Sequence, residues 1–144
     1  MSPDLTMAIR LLLAAVLGAA IGFQREQAGK PAGLRTHMLI CIGSTLFTLV
    51  GIFAFSGTVD PARMAAGVVS GIGFLGAGAI IRSPAGGIKG LTTAAGIWAA
   101  CAIGLACGLG LYKQAGMTTF LVLVILVIFS KVQKNILPKK QHGE

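Results

Sequence analysis

The residues of this chain that could do chemistry are concentrated in two polar segments between apolar runs. The first, residues 24–37, holds Glu26 among basic side chains. The second, residues 82–93, combines Arg82 and Lys89 with the start of a predicted helix. Cations beside a carboxylate or a helix N-terminus suit ion pairing or the binding of an anion. The candidate functional residues are therefore Arg25, Glu26, Lys30, Arg35, Thr36, Arg82, Lys89 and Thr92.

The first segment has two interpretations that the sequence leaves open. Glu26 could form an ion-pair cluster with Arg25, Lys30 and Arg35 at the mouth of a helix bundle, as a surface that binds a partner or a ligand. Alternatively, the cations anchor the segment at a membrane surface and the pairs are simply solvated.

Two glycine-rich stretches match nucleotide-binding motifs only superficially. Residues 71–76 read GIGFLG, but a dinucleotide fold needs an acidic residue about 20 positions later, and residues 90–112 contain none. In residues 86–93 the sequence GGIKGLTT lacks the Gly-Lys-Ser/Thr order of a phosphate loop. We reject a nucleotide site in both stretches.

The remaining reactive side chains do not form a catalytic or metal-binding set. The three cysteines include no Cys-x-x-Cys pair, and His37 and His142 have no convergent acid or thiol nearby in sequence. Four carboxylates in the whole chain leave no plausible acid–base pair or triad. The sequence therefore predicts a protein that is not an enzyme, with no metal and no cofactor.

Composition identifies the environment of the chain. Its 144 residues are 55% hydrophobic and only 11% charged, whereas soluble domains carry roughly 25% charged residues. The net charge of +8 would fit nucleic-acid binding, but the charges are too few and too dispersed for a basic face, and we exclude nucleic acid as a partner. The lipid bilayer is the expected partner.

The spacing of the charges predicts an all-α polytopic helical bundle of about five transmembrane helices. Five charge-free runs of 14, 24, 18, 23 and 17 residues separate the Asp, Glu, Lys and Arg residues, and a spanning helix needs roughly 17–25 residues. The first run is long enough only if its helix begins near residue 5. Thr36 and Asp60 are the expected N-caps of the second and third helices. The predicted spans are residues 5–23, 37–55, 61–81, 91–111 and 112–130, within a membrane domain of residues 1–137 that a short basic tail, residues 138–144, follows.

The distribution of Lys and Arg predicts the orientation. Five spans place nine of these cations on one side of the membrane and three on the other, so the positive-inside rule puts the N-terminus outside and the C-terminus in the cytoplasm.

Glycine, 21 of 144 residues, predicts tight helix packing. Small residues spaced by four lie on one helix face and allow close backbone approach in lipid. We expect such seams within or between subunits, and a homodimer is the favoured assembly. A broken helix over residues 71–78, as transporters use, is the alternative. The packing glycines are Gly18, Gly22, Gly71, Gly73, Gly76, Gly78, Gly96, Gly104 and Gly108.

Several ordered motifs together resemble the MgtC/SapB family of bacterial inner-membrane proteins. The motifs are GFQRE at 22–26, KPAGLRTH at 30–37, AR at 62–63, SGIGFLGAG at 70–78 and GLTTAA at 90–95 with Trp98. Gln24 stands where members often have Glu, and Gly67 where Gln is expected. Longer members add a cytoplasmic C-terminal domain, which we expect this chain to lack.

The resemblance implies growth or survival at low magnesium, often inside host cells, and one member is described as acting on the F-type ATP synthase. The favoured hypothesis is a membrane protein that modulates another membrane complex under magnesium limitation. The alternative is a small transporter or channel for magnesium or an anion. Magnesium prefers carboxylate and water oxygens, and the predicted membrane core has no Asp or Glu, so a carboxylate-lined magnesium pathway is disfavoured.

Overall fold

The computed structural model describes residues 2–54, 60–84 and 87–132. The chain forms an all-α bundle, as predicted. Its five α-helices are α1 (Pro3–Gln27), α2 (Leu34–Phe53), α3 (Pro61–Gly78), α4 (Leu91–Leu109) and α5 (Tyr112–Val124). α5 continues through a π-helical turn at Ile125–Phe129. Two short strands, β1 (Ile81–Arg82) and β2 (Ile88–Lys89), pair in antiparallel fashion between α3 and α4.

Four helices are long and apolar enough to cross a membrane. They span 25, 20, 19 and 21 residues, at Pro3–Gln27, Leu34–Phe53, Leu91–Leu109 and Tyr112–Val132. The first of these is longer than the predicted span 5–23, because Pro3 opens the helix and Ser2 Oγ accepts the Leu5 amide at 3.4 Å.

The prediction for the third span was wrong in length. We expected residues 61–81, but α3 has 18 residues and ends at Gly78, because Ile81 already pairs with Lys89 in the hairpin. At 1.5 Å per residue the helix is roughly 27 Å long. It runs without interruption through Gly71, Gly73 and Gly76, so the broken helix considered for residues 71–78 is also corrected.

The helix starts confirm one predicted cap and correct the other. Asp60 Oδ1 accepts the Ala62 amide at 2.9 Å, as predicted for the N-cap of α3. Thr36 does not cap α2, which begins after Gly33. Its Leu34 amide is instead bound by Glu26 Oε2 at 2.8 Å, because the close turn between α1 and α2 brings that carboxylate to the open helix end.

The core lies where α1, α2 and α4 meet. α4 is the most enclosed of the four candidate spans, with 50% of its most apolar stretch buried, compared with 22% for α1 and 17% for the last span. The outer surfaces carry large apolar side chains such as Leu12, Leu39 and Phe74, which is 81% exposed. A soluble protein rarely shows so much apolar surface, and this exterior fits contact with lipid.

α3 packs differently from the other helices. Its C-terminal end lies against the start of α4, where an added Cβ on Gly76 would come 3.8 Å from Ala94 Cβ. Between α2 and α3 lies an open apolar groove, which we call the α2–α3 groove. The groove has a volume of about 540 Å³ and is lined by Leu39, Ile40, Gly43, Ser44, Phe47, Arg63, Met64, Gly67, Val68, Gly71, Ile72 and Leu75.

Candidate functional site

The C-terminal end of α1 and the N-terminal ends of α2 and α4 meet at one end of the bundle. Glycines make the meeting of α1 and α2 close: an added Cβ on Gly22 would lie 2.7 Å from Leu34 Cα, and one on Gly18 would lie 2.7 Å from the His37 carbonyl oxygen. Side chains larger than hydrogen would push the two helices apart. Polar side chains lie around these contacts, and we call them the polar corner: the buried Arg25, His37 and Thr93, together with Gln24, which precedes Arg25 in α1.

Arg25 is a buried cation. Only 4% of the residue is exposed, and its Nη2 donates to Thr93 Oγ1 in the first turn of α4 at 2.8 Å. Its Nε is buried and has no hydrogen-bond partner within the described part of the chain. Buried charges are normally paired, because an unpaired charge away from water is costly.

His37 belongs to α2 and is fully buried, and its ring faces α4 at Gly96, about one helix turn beyond Thr93. Its ring Nδ1 is 3.0 Å from the Gly33 carbonyl oxygen, and because a carbonyl only accepts, Nδ1 carries the proton of this hydrogen bond. Nε2 faces α4, where an added Cβ on Gly96 would lie 3.6 Å away. Nε2 and Gln24 Oε1 are buried acceptors without partners among the described residues.

Above the polar corner, the loop between α1 and α2 forms a polar cleft of about 240 Å³, here called the loop cleft. The cleft brings together four of the predicted site residues: its lining is Glu26, Lys30, Pro31, Gly33, Leu34, Arg35 and Thr36. The expected ion-pair cluster around Glu26 does not form within residues 2–54, 60–84 and 87–132. The carboxylate caps α2 instead, because the Leu34 amide lies closer to it than any guanidinium or ammonium group.

The second polar segment lies beside this site without entering the cleft. Arg82 and Lys89 stand exposed on the two strands of the hairpin, and Thr92 is exposed at the start of α4. The hairpin joins α4 through Gly90, whose φ of +92° and close approach to the Ala79 carbonyl oxygen both exclude a Cβ. The sequence therefore predicted the correct end of the molecule for these residues, but they do not join the loop cleft.

The predicted packing glycines divide into three groups. Gly18, Gly22, Gly104 and Gly108 lie at helix crossings where a Cβ would come within 3.0 Å of another helix, and Gly76 and Gly96 lie at ordinary contact distance. Gly71, Gly73 and Gly78 have no neighbouring atom within 4 Å in the described chain. It stays a prediction that these three glycines pack closely, and the contact would have to be with another molecule.

Arg10 binds the opposite end of the bundle. Its Nη1 donates to the Gly108 carbonyl oxygen at 2.6 Å and its Nε to the Tyr112 hydroxyl at 3.2 Å. The guanidinium thus satisfies a carbonyl in the last turn of α4, where a cation is favourable.

Sequence reasoning missed His37, Gln24 and Thr93 as members of the site. A signal was present, because Gly18, Gly22 and Arg25 share one face of α1 at i, i+4 and i+7. A cation on the glycine face of a helix is directed toward the neighbouring helix and not toward water.

The arrangement offers hydrogen-bond donors and positive charge, and its chemistry suits binding. Among the residues described, no group of three or more His, Cys, Asp or Glu side chains is placed to hold a metal ion. The three cysteines are free and buried; Cys41 Sγ donates to the Ala100 carbonyl oxygen, and Cys101 Sγ accepts from Ser44 Oγ.

Comparison with known proteins identifies relatives along nearly the whole chain. YhiD of Escherichia coli K12 is 43% identical over 142 residues, covering 93% of this chain and 65% of YhiD. SrpB of Synechococcus elongatus is 41% identical, covering 90% of this chain and 78% of SrpB. SapB of Bacillus subtilis is 37% identical, covering 96% of this chain and 62% of SapB. The chain thus spans about two thirds of the length of the curated relatives it matches.

No solved structure matches the chain. The family model described as the MgtC family matches residues 11–135, which include the polar corner, the loop cleft and all of α2, α3 and α4. The family resemblance inferred from the motifs is confirmed, and the chain belongs to the MgtC family.

Proposed function

We propose that the chain is a bacterial inner-membrane protein without enzymatic activity that supports growth under magnesium limitation by modulating another membrane complex. The F-type ATP synthase is the first complex to test. The N-terminus would lie outside and the C-terminus in the cytoplasm, which places the loop cleft and the hairpin on the cytoplasmic side.

The observation that carries this proposal is the loop cleft. Its polar side chains are exposed at one end of an otherwise apolar bundle: Lys30, Arg35 and Thr36 all face solvent. A cytoplasmic surface of this kind can recognise the acidic face of a partner, because exposed cations guide association and fix the orientation of the two proteins. The apolar outer surfaces of the helices would meet lipid or a membrane-embedded partner.

A genetic experiment tests the proposal. A strain without the gene, complemented by the wild type, by a double variant Lys30→Glu and Arg35→Glu, or by Lys113→Glu, is grown in limiting magnesium. Lys113 is an exposed cation at the other end of the bundle, so its variant changes charge without touching the cleft. We expect the cleft variant to lose complementation and co-purification of the partner, while Lys113→Glu retains both.

The result that would contradict the proposal is equally specific. If the cleft variant is present in the membrane at wild-type level and complements fully, the cleft is not the docking surface. If deletion changes neither low-magnesium growth nor ATP synthesis in inverted vesicles, modulation of the ATP synthase under magnesium limitation is excluded.

Transport is a second candidate, supported by polar groups inside the bundle. YhiD is named as a candidate magnesium transporter, and Arg25 and His37 are buried among the helices. The positive charge of Arg25 opposes passage of a divalent cation and favours an anion. Purified protein in sealed vesicles should then carry chloride, with less flux for Arg25→Gln, which removes the buried charge. Flux equal to that of empty vesicles for both magnesium and chloride would exclude transport.

A further inference from the structure

We propose that the polar corner binds one small monovalent anion, of the size of chloride, between Arg25 and the first turn of α4. The inference is independent of the docking proposed for the loop cleft, and it deepens the transport candidate by naming an anion site inside the bundle. The experiment below measures binding and not flux, so the two proposals can fail separately. The inference rests on two observations: the positive charge of Arg25 has no buried counter-charge among the residues that the structure describes, and the first amides of α4, which have no acceptor inside the helix, lie beside it.

The first observation is the missing counter-charge. Arg25 is 96% removed from solvent, as its 4% exposure shows, and the nearest acid in sequence, Glu26, is engaged with the Leu34 amide. The guanidinium keeps a buried Nε–H with no acceptor in the described chain. A single neutral hydroxyl, Thr93 Oγ1, does not neutralise a buried cation.

The second observation is the helix end that Arg25 contacts. α4 is a 19-residue helix whose N-cap, Gly90, offers no side-chain acceptor, and the first amide bonded within the helix is that of Ala94, to the Gly90 carbonyl oxygen. The amides before it have no carbonyl partner inside the helix, and they carry partial positive charge. A guanidinium beside a helix N-terminus places two positive groups together, which is stable when an anion lies between them.

The neighbouring acceptors fit a hydrated anion. One water molecule that donates a hydrogen to the anion can donate its other hydrogen to His37 Nε2, whose lone pair has no partner among the described residues. Gln24 lies next to Arg25 in α1, and rotation of its amide by about 180° would exchange the orphaned Oε1 for an N–H₂ donor.

The experiment measures anion-dependent stability in purified protein. The full chain, in detergent, is unfolded by heat in sodium gluconate, sodium chloride or sodium bromide at equal ionic strength. We expect chloride and bromide to raise the Tm of the wild type in a saturable manner, because a ligand that binds only the folded state stabilises it. Arg35→Gln removes an exposed cation of the loop cleft and should keep the full increase, whereas Arg25→Gln should lose it.

A second variant and a direct readout keep the test decisive if Arg25→Gln fails to fold. Thr93→Ala removes the hydroxyl that orients the guanidinium, and its chloride affinity should fall by about threefold or more, whereas Thr92→Ala should keep the wild-type affinity. Bromide line broadening in NMR, reversed by chloride, should report the same site. An absence of any halide effect in the wild type, or an equal effect in Arg25→Gln and Arg35→Gln, would overturn the proposal.

Discussion

α3 and α4 are both rich in glycine, yet they use it in opposite ways. On α4 the small residues at Gly96, Ala100, Gly104 and Gly108 face inward, and added Cβ atoms on Gly104 and Gly108 would each lie 2.5 Å from α2. On α3 the glycines at 67, 71, 73 and 78 have nothing within 4 Å in the described chain. The α4 face is a completed helix contact, whereas the α3 face is open.

The comparison shows that a pattern of small residues predicts a helix face capable of close packing, but it does not predict which surface packs against that face. The sequence left open whether such seams lie within or between subunits, and on α4 the ridge is covered by α2 of the same chain. Thr45 and Cys41 strengthen this contact: Thr45 Oγ1 donates to the Gly104 carbonyl oxygen at 2.8 Å, and Cys41 Sγ donates to the Ala100 carbonyl oxygen at 3.2 Å. Such interhelical hydrogen bonds compensate for the absence of a hydrophobic driving force between helices in lipid.

The largest effect on stability is expected from adding a side chain at the close contact between α2 and α4. Gly104→Ala should lower the free energy of unfolding by about 3 kcal/mol, because the new Cβ would lie 2.5 Å from the Cys41 carbonyl oxygen and the helices must separate. Denaturation by sodium dodecyl sulfate in mixed micelles measures the change. Gly96→Ala is the control, since its nearest atom is 3.6 Å away. Equal losses of unfolding free energy in the two variants would contradict the close contact between α2 and α4 at Gly104.

The next effect concerns the polar corner, which holds the start of α4 against α1. Thr93→Val keeps the size of the side chain but removes the acceptor of Arg25 Nη2, and we expect a loss of about 2 kcal/mol because a buried charged donor is left unpaired. The same unfolding assay applies. Thr92→Val, at the exposed neighbouring position, should change stability by less than about 0.5 kcal/mol; a similar loss at both positions would show that Thr93 acts only through helix propensity.

A smaller effect is expected where α1 turns into α2. Glu26→Ala removes the cap of the Leu34 amide and should cost about 1 kcal/mol. Glu26→Gln retains an acceptor oxygen and should cost clearly less. Hydrogen exchange of the Leu34 amide reports the local effect, and unchanged protection in Glu26→Ala would show that the cap does not hold the helix end.

The smallest effect on folding is expected on the open face of α3. Gly71→Leu should not lower the free energy of unfolding, because no neighbouring atom lies within 4 Å of the added Cβ and leucine forms helices better than glycine. If the proposed homodimer uses this face, the same variant should convert dimers into monomers in native mass spectrometry. A large loss of stability in the monomer would remove the distinction between α3 and α4, and an intact dimer would place the subunit contact elsewhere.

Much of the fold was predictable because its signals are local. The charge-free runs predicted all five helices, and the Asp60-Pro61 pair predicted the start of α3. The end of α3 was not predictable in the same way, since Ile80 and Ile81 are as apolar as a helix requires and leave it only because the hairpin pairs Ile81 with Lys89. Part of the site was also predictable from the sequence, because four of the candidate residues share the loop cleft: Glu26, Lys30, Arg35 and Thr36.

The sequence by itself determined the apolar helices, the bias of charge toward one end and the family, because each depends on residue type and spacing along one chain. Only the tertiary structure decided that Glu26 caps α2, that Arg25 is buried against Thr93, and that His37 faces Gly96. The physical reason is that burial and pairing depend on which helix faces which, and in lipid that choice is made by backbone approach at glycines and by interhelical hydrogen bonds.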